Sequence, residues 1–248
     1  SYTNLLPGRE YTVSGTLMDK ETGKTVLADG KEITASTTFT PEKSEGSVDV
    51  IFTFDASIVA PKTVVAFETL TYKKIQIAVH ADIEDKDQTV YIPTIRTSAK
   101  DNVTGINHTE ADKEVTITDT VTYKGLEVGR EYTVSGTLMN QRTGAKILVN
   151  GKPVTASTTF TAEEKEGSVE VVFTFDATAL EGTTTVVFET LYTENKEVAA
   201  HTDINDKGQT IYIPKIRTTA ISDDTNDHVT KADEKITLIA VSYTHLRA

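Results

Sequence analysis

The sequence contains no cysteine and no tryptophan, and only two methionines and six prolines among 248 residues. Without cysteine there is no disulfide framework, no thiolate nucleophile and no thiolate metal ligand. Without tryptophan the chain lacks an aromatic much used to anchor interfaces. No apolar run is long enough to cross a bilayer. The opening Ser1-Tyr2-Thr3-Asn4 has none of the marks of a signal peptide. Positive charge is scarce too. Lys and Arg number 25 against 37 Asp and Glu, a formal net charge of -12, which argues against a nucleic-acid surface. Hydrophobic residues still make up 38%, enough for a packed core.

What is present is a long internal repeat. The string GREYTVSGTLM begins at Gly8 and returns at Gly129, TASTTFT begins at Thr34 and returns at Thr155, and Phe67-Glu68-Thr69 returns as Phe188-Glu189-Thr190. The offset is 121 each time (129−8, 155−34, 188−67), and it still holds at His80/His201 and Gln88/Gln209. That period is the size of a domain, not of a solenoid unit. The expected layout is a repeat lacking its first strand over 1–95, a complete repeat over 96–216, and the start of a third over 217–240. The last residues, 241–248, depart from the repeat into VSYTHLRA, which resembles the translation of a sequencing adapter and is read as read-through.

The local pattern is strand. Tyr11 to Leu17 alternates with period two, and Val48 to Phe54 and Thr63 to Phe67 are β-branched and aromatic. Asp29-Gly30 and Asn150-Gly151 are tight-hairpin signals, because both central residues of a type I′ turn need positive φ. Sustained helical periodicity is absent. The expected fold is all-β, a tandem of immunoglobulin-like antiparallel β-sandwich domains.

Within these strands a few polar residues stand out. Glu68 and Glu189 each sit in an apolar strand, and Glu189 shares a face with Val187 and Leu191. Either that face is the core and the carboxyl is buried and neutral, or the strand is an edge and the carboxylate is solvated. His201 opens a run to Pro214 whose twin is His80 to Pro93; Gln209 shares a face with Ile211 and Ile213, so its amide points inward or lies at a strand edge.

The strings VVAFETL and VVFETL, the His-to-Gln run and the opening DTVTYKGL together resemble the Thr–Gln ester-bond (VaFE) domains of Gram-positive surface adhesins. In that family a Thr on the first strand attacks the side-chain carbonyl of a Gln on the last, ammonia leaves and an ester remains, assisted by a Glu, a His and an Asp. The resemblance implies Thr120 as nucleophile, Gln209 as electrophile, Glu189 as acid and His201 as base. It implies Asp19 as the assisting Asp of copy one, where copy two has Asn140. Three readings stay open: Asn140 suffices, the bond forms more slowly, or Asp119 serves instead. Thr120 also shares a strand face with Thr116, Thr118 and Thr122, opposite the apolar residues, so a bulge near Asp119 is needed to turn it inward. Copy one has Glu68, His80 and Gln88, but the counterpart of Thr120 would precede residue 1, so one ester is expected, not two.

The resemblance further implies a structural stalk repeat of a cell-surface adhesin, extracellular and anchored to the cell wall, with signal peptide and anchor outside this stretch. It is expected to self-crosslink once and not to turn over a substrate. No cofactor or metal is expected. The expected partners are neighbouring repeats and a host-surface ligand bound through another domain, with no nucleic acid and no membrane insertion. The rival functions are a host-ligand-binding immunoglobulin-like module, an isopeptide-bonded pilin-type domain and an enzyme using His201, Asp203 and Glu189, whose spacing matches no metal motif.

Overall fold

A computed structural model describes residues 1–230, 232 and 235–243. Copy one contains β1 (Tyr11–Asp19), β2 (Leu27–Ala28), β3 (Lys31–Glu32), β4 (Thr34–Phe39), β5 (Lys62–Tyr72), β6 (Ile75–His80) and β7 (Thr89–Ile92). Copy two contains β8 (Thr94–Asp101), β9 (Val115–Lys124), β10 (Glu131–Asn140), β11 (Leu148–Val149), β12 (Lys152–Pro153), β13 (Thr155–Thr161), β14 (Glu166–Phe175), β15 (Thr183–Thr193), β16 (Lys196–His201) and β17 (Thr210–Ile213). A last hairpin joins β18 (Arg217–Ser222) to β19 (Leu238–Tyr243). Among the described residues the helical turns are two short 3-10 segments, and no helix is long and apolar enough to cross a membrane.

Copy two is a sandwich of two antiparallel sheets. One has the order β13-β10-β15-β16, with β17 also paired to β15; the other is β14-β9-β8. The inward residues of both meet in one core that includes Ile117, Val121, Val134, Leu138, Val171, Phe173, Val187 and Leu191. Gly136 is required where the sheets approach most closely. A Cβ there would lie 2.4 Å from the Phe173 ring, and Gly15 stands in the same relation to Phe52 in copy one. The two Gly-containing hairpins form as expected, with positive φ at Asp29, Gly30, Asn150 and Gly151. Two further turns of the same kind carry no glycine, Lys73-Lys74 and Glu194-Asn195, all with positive φ.

Copy one forms the same first sheet, β4-β1-β5-β6 with β7 on β5. Opposite it there is no counterpart of β8, and residues 47–54 form no strand. Only the Tyr2–Gly46 bridge stands where Tyr123 pairs with Gly167 in copy two. Its buried core is correspondingly smaller: Leu17, Val26, Ile33, Val59 and Val64.

The strand β8 starts at Thr94 and pairs with β9 from its first residue, so the second sandwich recruits residues from just before position 96. The segment read as adapter sequence begins inside β19, whose pairing runs through Val241 to Tyr243; residues 244–248 lie outside the described residues.

Candidate functional site: a buried carboxyl pair between Thr97 and Gln209

Glu189 sits on β15, which is flanked by β10 and β16 and is therefore central, not an edge. Period-two alternation turns Thr185, Val187, Glu189 and Leu191 into the core, and Glu189 is fully buried. Its neighbours across the sheet are Gly136 and His201. From the facing sheet Asp119 on β9 is also fully buried, between Ile117 and Val121. The two carboxyls hydrogen-bond each other across the sandwich.

Each acid holds one further side chain. Thr97 Oγ1 on β8 donates to Glu189 Oε2 at 3.1 Å. Gln209 Nε2, at the entrance to β17, donates to Asp119 Oδ1 at 3.3 Å. Gln209 is itself fully buried. The backbones are tied as well: Ala99 N–H donates to the Gly208 carbonyl at 2.9 Å, and Val187 N–H to the Gln209 carbonyl at 3.1 Å. The result is one hydrogen-bonded chain, Thr97–Glu189–Asp119–Gln209, linking the first strand of the copy to the last.

Protonation follows from burial. Removal from water pushes the Glu189 carboxyl far above its ordinary range, and the adjacent Asp119 pushes it further. Burial raises Asp119 too, while its hydrogen bond to Glu189, the backbone at Ser98 and the nearby His201 pull it back down. Two carboxyls in contact cannot both ionise cheaply, so the pair carries one proton with Glu189 as the acid. That shared proton serves two buried oxygens that otherwise have no partner, Asp119 Oδ2 and Glu189 Oε1. Gln209 Oε1 is likewise buried without a donor.

His201 does not touch Thr97 or Gln209. Its Nε2 lies 2.7 Å from Asp206 Oδ2. Asp206 also accepts from the Gly208 N–H at 2.7 Å. Burial works against ionisation of Asp206, but the Gly208 N–H, the His201 bond and the His201 charge outweigh it and hold the carboxyl below its usual range. Copy one repeats the pair as His80 Nε2 and Asp85 Oδ2, 2.8 Å apart.

The structure corrects two sequence expectations. Thr120 is not brought to Gln209. The register of β9 is continuous against both β8 and β14, with no bulge, so Thr120 alternates onto the face opposite Asp119. Nor is Asn140 brought to the site. Its Oδ1 accepts from the Arg142 and Thr143 N–H groups and closes the turn after β10. Asp19 does the same for Glu21 and Thr22 in copy one, and it also pairs with Lys62. The equivalent of Lys62 at offset 121 is Thr183, so copy two has exchanged both members of an ion pair for neutral residues. This accounts for the Asn without any role in chemistry.

Glu189, Gln209 and Asp119 do converge, as the third of the open readings required. Thr97 and Asp206 were missed. Each had a signal: Ile95-Arg96-Thr97 returns as Ile216-Arg217-Thr218, and Asp206 is matched by Asp85, both at the offset of 121. In copy one Glu68 pairs across the sheet with His80, but neither Glu68 nor Gln88 is fully buried, because no strand equivalent to β8 covers them. Among the described residues no cluster of His, Asp and Glu suits a metal ion.

Of the solved structures, a bacterial adhesin from Mobiluncus mulieris containing intramolecular disulfide, isopeptide and ester bond cross-links is similar in two crystal forms. Identities are 16% and 18%, with 61% of this chain and 73% of that one covered and a TM-score of 0.43. A glycosyl hydrolase family 2 member from Bacteroides cellulosilyticus matches at 11% identity and a TM-score of 0.34, over 93% of this chain and 28% of its own. Likenesses this distant say nothing of function. No curated protein matches the chain. The family profile is decisive, because it matches twice, over residues 1–92 and 93–213. With two adjoining matches that together span most of its length, this chain belongs to the family of T-Q ester bond containing domains.

Proposed function

We propose that copy two closes an ester between Thr97 Oγ1 and Gln209 Cδ, and that the chain is a stalk repeat of a bacterial surface adhesin. The observation that carries the crosslink is the buried hydrogen-bonded chain from the Thr97 hydroxyl through two carboxyls to the Gln209 amide. Thr97 Oγ1 attacks Cδ of Gln209. Its proton passes to Glu189 Oε2, the proton shared by the pair moves to Asp119, and Asp119 delivers a proton to Nε2. The C–N bond breaks, ammonia leaves, and the carboxyl pair returns to its starting state. One proton held between two acids thus serves as base toward the hydroxyl and as acid toward the leaving group. The His201–Asp206 pair stands beside this couple and acts on it through charge. Proximity supplies much of the rate, since the groups are held in contact, and burial keeps water from the product.

The reaction happens once per domain, so it is maturation and not turnover. Tension along a stalk would then run through a covalent bond joining β8 to Gln209. The extracellular, wall-anchored location and the partnership with neighbouring repeats follow from that reading.

The test is the intact mass of the purified chain, followed by peptide mapping. One ammonia should be missing, and a Thr97 peptide should be joined to a Gln209 peptide by a link that alkaline hydroxylamine cleaves. A full-length mass with no loss defeats the proposal. A link that resists hydroxylamine assigns the bond to an isopeptide instead.

A further inference from the structure

The search turned up one pair of features that the ester does not use: an open sheet face in copy one and an unpartnered hairpin, β18–β19. We propose that the chain associates head to tail, the β18–β19 hairpin of one molecule docking on the open face of copy one in a second molecule.

The hairpin is a replica of β8–β9. Their registers agree at the offset of 121: Ala99 pairs with Asp119, and Ala220 with Ala240. In copy two the core face of that hairpin is covered, with Ile95 at 5% and Ile117 at 0% exposure. Their counterparts, Ile216 and Leu238, are 68% and 61% exposed. Two large aliphatic residues thus stand in solvent at positions built to be core.

The acceptor shows the complementary defect. Val134 and Leu191 are fully buried in copy two, yet Val13 and Leu70 are only partly buried. They line a groove of ≈ 280 Å³ with Val48, Val50, Glu68 and His80. This is the face that β8 and β9 cover in copy two. The fit extends to where the donor must stop. Tyr2 already holds the place of Tyr123, through its bridge to Gly46. The described part of the donor ends at Tyr243, the counterpart of Thr122. The hairpin therefore supplies the missing strands up to the point where the acceptor's own chain takes over. Docking would place Thr218 against Glu68 as Thr97 lies against Glu189. It needs no covalent bond, and Ala240 stands where copy two has Asp119.

The occupant is a second copy because the missing surface and the spare element are the same element of the same repeat. Completing a sheet with a strand from another molecule is an established recognition mode. Donor and acceptor are different surfaces, so the contact does not close on itself and produces chains of molecules.

The test is molar mass by light scattering on the full chain over a concentration series. The parent's mass should rise with concentration. Leu238→Asp, which alters only the hairpin, should remain a monomer. Val13→Asp and Val50→Asp, on two different segments of the groove, should each remain monomeric as well. Mixing Leu238→Asp with either groove variant should give a species of two chains and nothing larger, since one partner keeps a working groove and the other a working hairpin. A parent that stays monomeric throughout, a Leu238→Asp chain that still grows, or mixtures that form no pair with either groove variant would each overturn the proposal.

Discussion

Replacing Thr97 by Ala removes a single hydroxyl, and on the crosslink proposal that is enough to lose the ester. The two residues to be joined are 112 apart (209−97). On the chain-entropy treatment of a crosslink, closing a loop of that size stabilises the fold by about 5 kcal/mol. A domain of roughly 120 residues unfolds with an entropy near 2.1 cal/mol/K per residue, so the loss corresponds to a fall in Tm of roughly 20 °C. The hydrogen bond to Glu189 goes too, for about 1 kcal/mol more. The assay pairs scanning calorimetry with intact mass, on Thr97→Ala and on Thr120→Ala side by side. Thr97→Ala should retain the ammonia and melt far below the parent. Thr120→Ala should lose the ammonia as the parent does and melt within a few degrees of it, since that hydroxyl faces away from the core sheet. The reasoning fails if the Thr97 variant still shows the mass deficit, or if the two variants melt alike.

The buried carboxyl pair predicts an unusual pH dependence in the uncrosslinked Thr97→Ala background. Glu189 is raised in the folded state, so from its ordinary carboxylate range upward the unfolded chain loses a proton that the folded chain keeps. Stability therefore falls as pH rises, by about 1.4 kcal/mol per pH unit for one retained proton. Adding Glu189→Gln should flatten that slope in urea titrations between pH 5 and pH 8, values taken as about one unit above the model range and mild alkalinity; an unchanged slope would place the proton elsewhere. Asn140→Asp should leave the rate of ammonia loss unchanged, because its Oδ1 is committed to the turn; a faster rate by time-resolved mass measurement would restore it to the site. Gly136→Ala should destabilise copy two by roughly 1–3 kcal/mol, because the added Cβ meets the Phe173 ring. Denaturant unfolding at equal midpoints would contradict that packing.

Duplication and alternation are local in the sequence, and they determined a good deal. The offset of 121 disclosed the tandem, period two disclosed the strands, and Asp-Gly and Asn-Gly disclosed their turns. Alternation also placed Glu189 with Val187 and Leu191, and Gln209 with Ile211 and Ile213. It even counted against Thr120, whose neighbours on the face are all Thr. What local pattern could not decide was which hydroxyl meets the carboxyls. That depends on β8 pairing with β9 and lying beside Gly208, contacts between residues about a hundred positions apart. Many threonines satisfy period two, but only strand pairing and sheet stacking bring one of them to Glu189. The partnership of two acids from facing sheets is likewise a property of the sandwich, since burial and mutual contact, not sequence spacing, fix where their proton resides.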